Sequence, residues 1–387
     1  MRRFVLAALI AAFAAGQARA ADASPADELD QRTAESADKF DVDLFSPRAP
    51  ALITLGVSPQ NADDAGVFAD FGYDFASLGD SGKLGVGVAV SGTPYWWMPR
   101  ELTLDEYRNG KSSLERISAR TQLSLGAARA GTEHHEAIAL GFGIQTQLLD
   151  AQDPKFDAAS YDCVHEAWQR LRRPAHQEAV QDIAGEFAKA LQEGKSLDLE
   201  ALQEQQLQPA SSEAFEAARR DCRDKAGARL LALPSWKIGL GLGARSDEPD
   251  LGHFDYDGVS LWSAYRQSLD RRGRYALFGF LRGDWDKVFD MQNDLRAEGD
   301  AAAAGLGAAY QLTTLRVEGA ASFNHRDFDT AGFGEDDFLR YSGTVNVRLR
   351  EGLWLEAGGG AFSGSDFLRG AFYSASVKIN WGVYSPF

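Results

Sequence analysis

Few stretches of the 387-residue chain space their side chains for chemistry. Gly79-Asp80-Ser81-Gly82 resembles the segment around an activated serine, but Gly, Asp and Ser are also the ordinary residues of a turn between strands. His134-His135-Glu136 lacks the i, i+4 histidines that grip zinc from a helix. Gly85-x-Gly87 and Gly239-x-Gly241-x-Gly243 repeat every second residue, which is the period of a strand, and no helix follows at once to cradle a phosphate. Asn324-His325, with Asp327 and Asp329 close by, offers a base and carboxylates of the kind a membrane lipid hydrolase needs. Asp327-x-Asp329-x-x-Gly332 opens like a calcium loop, but Phe338 stands where the closing glutamate belongs. None of these supplies a complete set, so no catalytic, cofactor or metal residue is assigned and no cofactor is expected. Cys163 and Cys222 are the only cysteines, and pairing in an oxidising compartment predicts one disulfide. Zinc shared with His165 and His176 is the alternative.

The charged residues are more informative once the elements that carry them are drawn. From about residue 65 apolar and polar positions alternate over runs of about ten residues, the mark of a strand with two unlike faces. Ile138, Leu140, Phe142 and Ile144 oppose Ala139, Gly141, Gly143 and Gln145. Trp236, Ile238, Leu240 and Leu242 oppose Lys237, Gly239, Gly241 and Gly243. Such runs fall near 65–76, 83–92, 115–129, 136–149, 235–245, 258–267, 274–285, 302–312, 314–325, 339–350, 352–362 and 371–383. Those near 258–267 and 274–285 are less clean, because Trp262, Phe278 and Phe280 disturb the phase. Between 150 and 233 the period becomes helical, as in Val180, Ile183, Phe187 and Leu191, and predicts a small amphipathic insert with Cys163 in its first helix and Cys222 in its last.

The polar face of these strands is rich in Gly, Ser, Asn, Gln and Arg, too small and too polar for a packed soluble core. It suits the inside of a membrane barrel whose apolar face meets lipid. Lys83, Arg116, Arg120, Lys237, Arg245, Arg266, Arg282, Arg316, Arg340, Arg348 and Lys378 fall on that inner face. Each would cost about 2–4 kcal/mol at mid-bilayer if the phase were reversed. About five acids (Asp70, Asp74, Asp284, Glu318, Glu356) share the face, so salt bridges stiffening the wall, or a field favouring anions, are the two expectations. Tyr95, Trp96, Trp97, Trp236, Trp285, Trp354 and Trp381 are candidates for interfacial girdles.

The N-terminus reads as an export signal: Arg2 and Arg3, an apolar run from Phe4 to Ala15, and Ala18-Arg19-Ala20 before a cleavage site. The formal charge is −16 for the full chain. That balance disfavours nucleic acid as a partner. Together with the alternating strands and the terminal Phe387, the signal resembles those of Gram-negative outer-membrane β-barrel proteins. The resemblance implies outer-membrane lipid as surroundings and recognition of the C-terminal strand by the barrel-assembly machinery, although Pro386 departs from the usual ending.

The expected fold is an all-β transmembrane barrel of twelve antiparallel strands, fourteen if another lies near 226–233, with a small helical insert. Its divisions are a signal peptide (1–20), an acidic leader with a short periplasmic or lumenal segment (21–64), strands 1–4 (65–149), the insert (150–234) and strands 5–12 (235–387). Stretches 246–257 and 325–338 are expected as outer loops. The leading function is a porin-like channel, or the membrane component of an export or uptake system whose insert docks a periplasmic protein or the cell wall. A structural protein with a plugged lumen and an outer-membrane lipid hydrolase are the alternatives; the chain is not expected to be an enzyme.

Overall fold

Alternation of apolar and polar residues becomes strand wherever both faces find a suitable solvent. The computed structural model describes residues 49–55, 71–80, 83–97, 113–131, 136–149, 231–246, 253–290, 296–312, 314–350, 353–368 and 370–381, with scattered positions at 159–170 and 217–230. The expected signal, most of the leader and insert, residues 65–70 and the terminal Phe387 lie outside them. Within this set run β1 (Phe71–Asp80), β2 (Lys83–Gly92), β3 (Thr121–Gly131), β4 (Glu136–Gln147), β5 (Ser235–Ser246) and β6 (Asp255–Ser268). They are followed by β7 (Tyr275–Asp290), β8 (Arg296–Gln311), β9 (Leu315–Phe328), β10 (Gly334–Arg350), β11 (Leu353–Ser363) and β12 (Ala371–Trp381). Two short α-helices, α1 (Pro50–Thr54) and α2 (Ser113–Ser118), and a 3-10 turn at Pro94–Trp97 accompany them.

Each strand pairs antiparallel with its neighbour in sequence, and β1 pairs with β12 from Phe71 opposite Trp381 to Asp80 opposite Phe372. The sheet is therefore a closed barrel with no free edge, the condition for strands to cross hydrocarbon. The chain enters β1 and leaves β12 at one end, called here the terminal end. The β4–β5 connection, carrying residues 148–234, emerges at that same end.

The two faces are inverted relative to a soluble protein. Leu125, Phe142, Leu240, Leu261, Leu281, Leu306, Phe323, Val345 and Leu355 are exposed on the outside. Lys237, Arg266, Asp284, Glu318, Asn346, Glu356 and Lys378 are buried on the inside.

Several expectations need correction. Residues 115–118 are helical, in α2, rather than the start of β3, so Arg116 sits on a helix and not on the strand wall. Stretches 246–257 and 325–338 are partly strand: β6 starts at Asp255, β9 runs to Phe328 and β10 starts at Gly334. The hairpins thus extend beyond the apolar band that marked them in sequence. In β7 the phase changes because of a bulge between Asp284 and Lys287, where Asp286 has φ 52° and its amide donates to Asp300 Oδ1 at 3.0 Å. The extra residue turns both Asp284 and Lys287 inward. Trp354 is 1% exposed and points inward, and Tyr95 is also buried, so neither belongs to a girdle; Trp236 and Trp285 are exposed on the outside.

Candidate functional site: a lumen with an internal plug

Alternation alone makes the inner face polar; what fills it decides whether anything can pass. The segment Pro-Ala-Leu-Ile-Thr forms α1, and all five of its residues are buried inside the barrel. Five residues do not hold a helix in water. Here the wall holds it. Pro50 opens the first turn, where no amide hydrogen is needed. The Ala51 amide donates to Ser124 Oγ of β3 at 2.6 Å, and Lys287 Nζ of β7 donates to the Thr54 carbonyl. Polar groups at both helix ends are thereby satisfied by barrel side chains.

Glycines make the room. A Cβ at Gly143 would lie 2.6 Å from the Pro50 backbone, one at Gly141 would lie 2.9 Å from the Ala51 carbonyl, and one at Gly241 would overlap Thr54. The small inner residues of β4 and β5 border the plug. Leu52 packs with Ala89 and Ala128, while Ile53 reaches across to Trp262, Ala264, Ala276, Phe278, Phe280 and Ala309. The aromatics that blurred the sequence pattern of β6 and β7 are thus inward residues in correct phase. Each faces a glycine across the ladder: Trp262 opposite Gly239, Phe278 opposite Gly307 and Phe280 opposite Gly305. Trp262 Nε1 donates to Gln145 Oε1 at 3.3 Å.

Charged side chains occupy the rest of the lumen in pairs. Arg282 binds Asp284 through two contacts of 2.8 Å; Ser260 Oγ donates to the same carboxylate at 2.5 Å, and Lys287 lies 3.6 Å from it. The latch on α1 is therefore anchored to a fixed acid. Arg245 makes a two-point contact with Asp290 at 2.8 Å. Arg316 pairs with Glu318, which also accepts from Thr344 at 3.2 Å, and Lys378 pairs with Glu356 at 3.2 Å. Arg340 lies over the Phe372 ring at 4.2 Å. At the far end Phe289, Phe328, Phe333 and Phe367 pack together, and Asp336 is turned inward to accept from Ser365 and the Asp366 amide.

Of the basic residues expected inside, Lys237, Arg245, Arg266, Arg282, Arg316, Arg340 and Lys378 are buried on the inner face. Arg348 continues the inward phase of β10 half-buried, and Arg120 is buried where α2 meets β3, its Nε donating to the Arg116 carbonyl. Lys83 begins β2, and its side chain lies outside the described set, as do those of Asp70 and Asp74. Lys287, Asp257 and Asp336 are inner charges missed in sequence, the first because of the bulge and the others because they lay in supposed loops. Asn324 and His325 part company: Asn324 is buried inside against Ser322, while His325 Nδ1 meets Asp337 Oδ1 at 2.8 Å across the ladder. Adjacent strand residues point to opposite faces, so these two do not act together. Among the described residues no three histidine, cysteine or acidic side chains gather as a metal site. Cys163 and Cys222 form a disulfide with Cα atoms 5.8 Å apart.

A closed antiparallel sheet, apolar outside and ion-paired within, is the architecture of a transmembrane β-barrel. No family model matches the chain, and no curated protein matches it. Solved structures similar to it include an outer membrane channel from Pseudomonas putida F1 (10% identity, TM-score 0.42, covering 84% of this chain and 99% of that one). The KdgM porin in complex with disordered oligogalacturonate is 6% identical at TM-score 0.36, over 80% and 99% of the two chains. The NanC porin is 6% identical at TM-score 0.37, over 80% and 100%.

Proposed function

We propose that this protein is a porin-like outer-membrane barrel whose passage is held shut by α1. One observation carries the reading: an uncharged five-residue helix, fully buried in the lumen, is fixed to the wall by Ser124 at one end and Lys287 at the other. Both are single contacts and both can be broken without disturbing the strand ladder. The inner wall supports a preference for anions once open: nine buried basic side chains stand against five buried acidic ones among the described residues.

Residues 1–20 act as the export signal, and the last strand engages the assembly machinery. The insert at 150–234, clamped by Cys163–Cys222, is joined to the barrel at the terminal end, which places it in the periplasm if the termini lie there. From that position it docks a periplasmic protein or the cell wall. The full count of strands in the barrel is twelve on this reading.

Single-channel recording in planar bilayers tests it. The wild-type protein should be nearly silent, and deletion of residues 49–55 should produce steady, anion-preferring conductance, with strand content unchanged by circular dichroism. A well-folded deletion variant that stays silent would establish the second reading, a barrel sealed by its own side chains. The ring contacts of Phe338, Phe362 and Phe372, side by side on the inner faces of β10, β11 and β12, favour that reading.

A further inference from the structure

The plug contacts only part of the wall, and the remainder includes polar groups with no hydrogen-bond partner among the described residues. On β10, Asn346 is 0% exposed, and neither its amide nitrogen nor its oxygen has a hydrogen-bond partner. On β12 the hydroxyls of Ser374 and Ser376, 8% and 4% exposed, are likewise unpartnered. The register gathers them. Asn346 lies opposite Glu356, Glu356 lies opposite Ser376, and Ser374 lies two residues along β12 on the same inner face. A buried polar group without a partner is costly and calls for an occupant.

The chemistry of that occupant follows from the neighbours. The charges directly opposite Asn346, Arg316 on β9 and Glu356 on β11, are each matched by an ion-pair partner, Glu318 and Lys378. What remains is one amide and two hydroxyls, each able both to donate and to accept. An anion would satisfy the donors and leave Asn346 Oδ1 facing negative charge; a cation would do the reverse. A hydroxylated neutral molecule satisfies both. We propose that the inner face of β10–β12, centred on Asn346, Ser374 and Ser376, is a binding panel for a neutral polyhydroxylated solute. Solute reaches this panel only through the lumen that α1 fills, so the inference rests on α1 being a removable plug.

The test is calorimetric titration of the variant lacking residues 49–55 with maltotriose, and with the corresponding aldonate as an anionic probe of like size. Maltotriose should bind, and the aldonate more weakly. Asn346→Leu combined with Ser374→Ala and Ser376→Ala should lower maltotriose affinity about tenfold, the scale of one or two lost hydrogen bonds. The same substitutions should leave the unfolding midpoint unchanged or raised, since they remove unsatisfied groups. No binding, equal binding by the triple variant, or tighter binding of the aldonate would overturn the proposal, the first two leaving lumenal water only as the occupant. Calorimetric binding without conductance would sink the channel reading and leave the panel standing.

Discussion

The lumen has two walls built on different rules. Where α1 lies against β2 to β8, the inner face is glycine, alanine and aromatic rings shaped around a segment from elsewhere in the chain, with the Arg282–Asp284–Lys287 and Arg245–Asp290 clusters beside it. From β9 to β12 it is ion pairs and hydrogen-bonding side chains. Both faces look alike in composition, small and polar against an apolar outside. One is small because something large must fit against it. The other is polar because its charges need each other. Inward glycine in a membrane barrel is therefore as consistent with a tenant as with an open channel.

Substitutions that exploit this contrast separate the walls. The largest effect is expected from Gly143→Trp, since even a Cβ there would meet the Pro50 backbone. Displacing α1 should raise the open-to-closed ratio in single-channel recordings about tenfold or more, equivalent to a shift of ~1.4 kcal/mol between closed and open states. Gly319→Trp, where a Cβ meets nothing within 4 Å, should leave conductance as it was. An unchanged Gly143→Trp would mean the plug does not control passage.

On the other wall, Lys378→Met strands Glu356 in a site where both side chains are 1% exposed. Losing one partner of a buried pair costs about 3–5 kcal/mol, to be read from the unfolding midpoint in detergent. The double variant with Glu356→Met should recover most of that loss; failure to recover would show that the pair does more than cancel charge. By contrast Lys287→Met should act mainly on conductance, because it also releases the Thr54 carbonyl.

Outside both walls, Leu306→Arg places a charge on the lipid face of β8, where Leu306 is 75% exposed. It should cost about 2–4 kcal/mol in lipid vesicles. Tolerance of this change would undermine the membrane facing altogether. The smallest effect concerns neither wall. In the β6–β7 turn, the Tyr275 amide donates to Asp270 at 3.0 Å and holds its carboxyl below the ordinary 3.8. A depressed acid contributes stability above its unfolded pKa and loses it as pH falls through the folded value. Asp270→Asn should therefore be slightly less stable at neutral pH, with the difference shrinking as pH falls below the ordinary carboxylate range in a pH series of unfolding midpoints.

Much of the barrel was legible in the sequence. The phase of β5 and β9 could be read residue by residue, because a strand between lipid and an ion-paired interior has no freedom to mix its faces. The bulge at Asp286 was not legible, since one inserted residue leaves no compositional trace. Nor was the helical form of α1 within the expected lumenal or periplasmic segment: five residues are too few to show a helical period, and its apolar letters between Pro50 and Pro59 fit a short strand equally well. The signal for the plug wall was present but unread. Trp262, Phe278 and Phe280 looked like errors of phase, yet each stands opposite a glycine, a pairing visible only once register is known. The unpartnered amide of Asn346 could not have been found without coordinates, because an asparagine on an inner face is ordinary until its neighbours are counted.

The position of α1 in the chain also bears on how the molecule is put together. The helix precedes β1, and its wall contacts come from β2 through β8, all earlier in sequence than the four strands that complete the cylinder. It can settle onto a curved, half-built sheet before β12 arrives to meet β1. The tenant is then a mould as well as an occupant, setting the curvature around which the remaining strands swing shut.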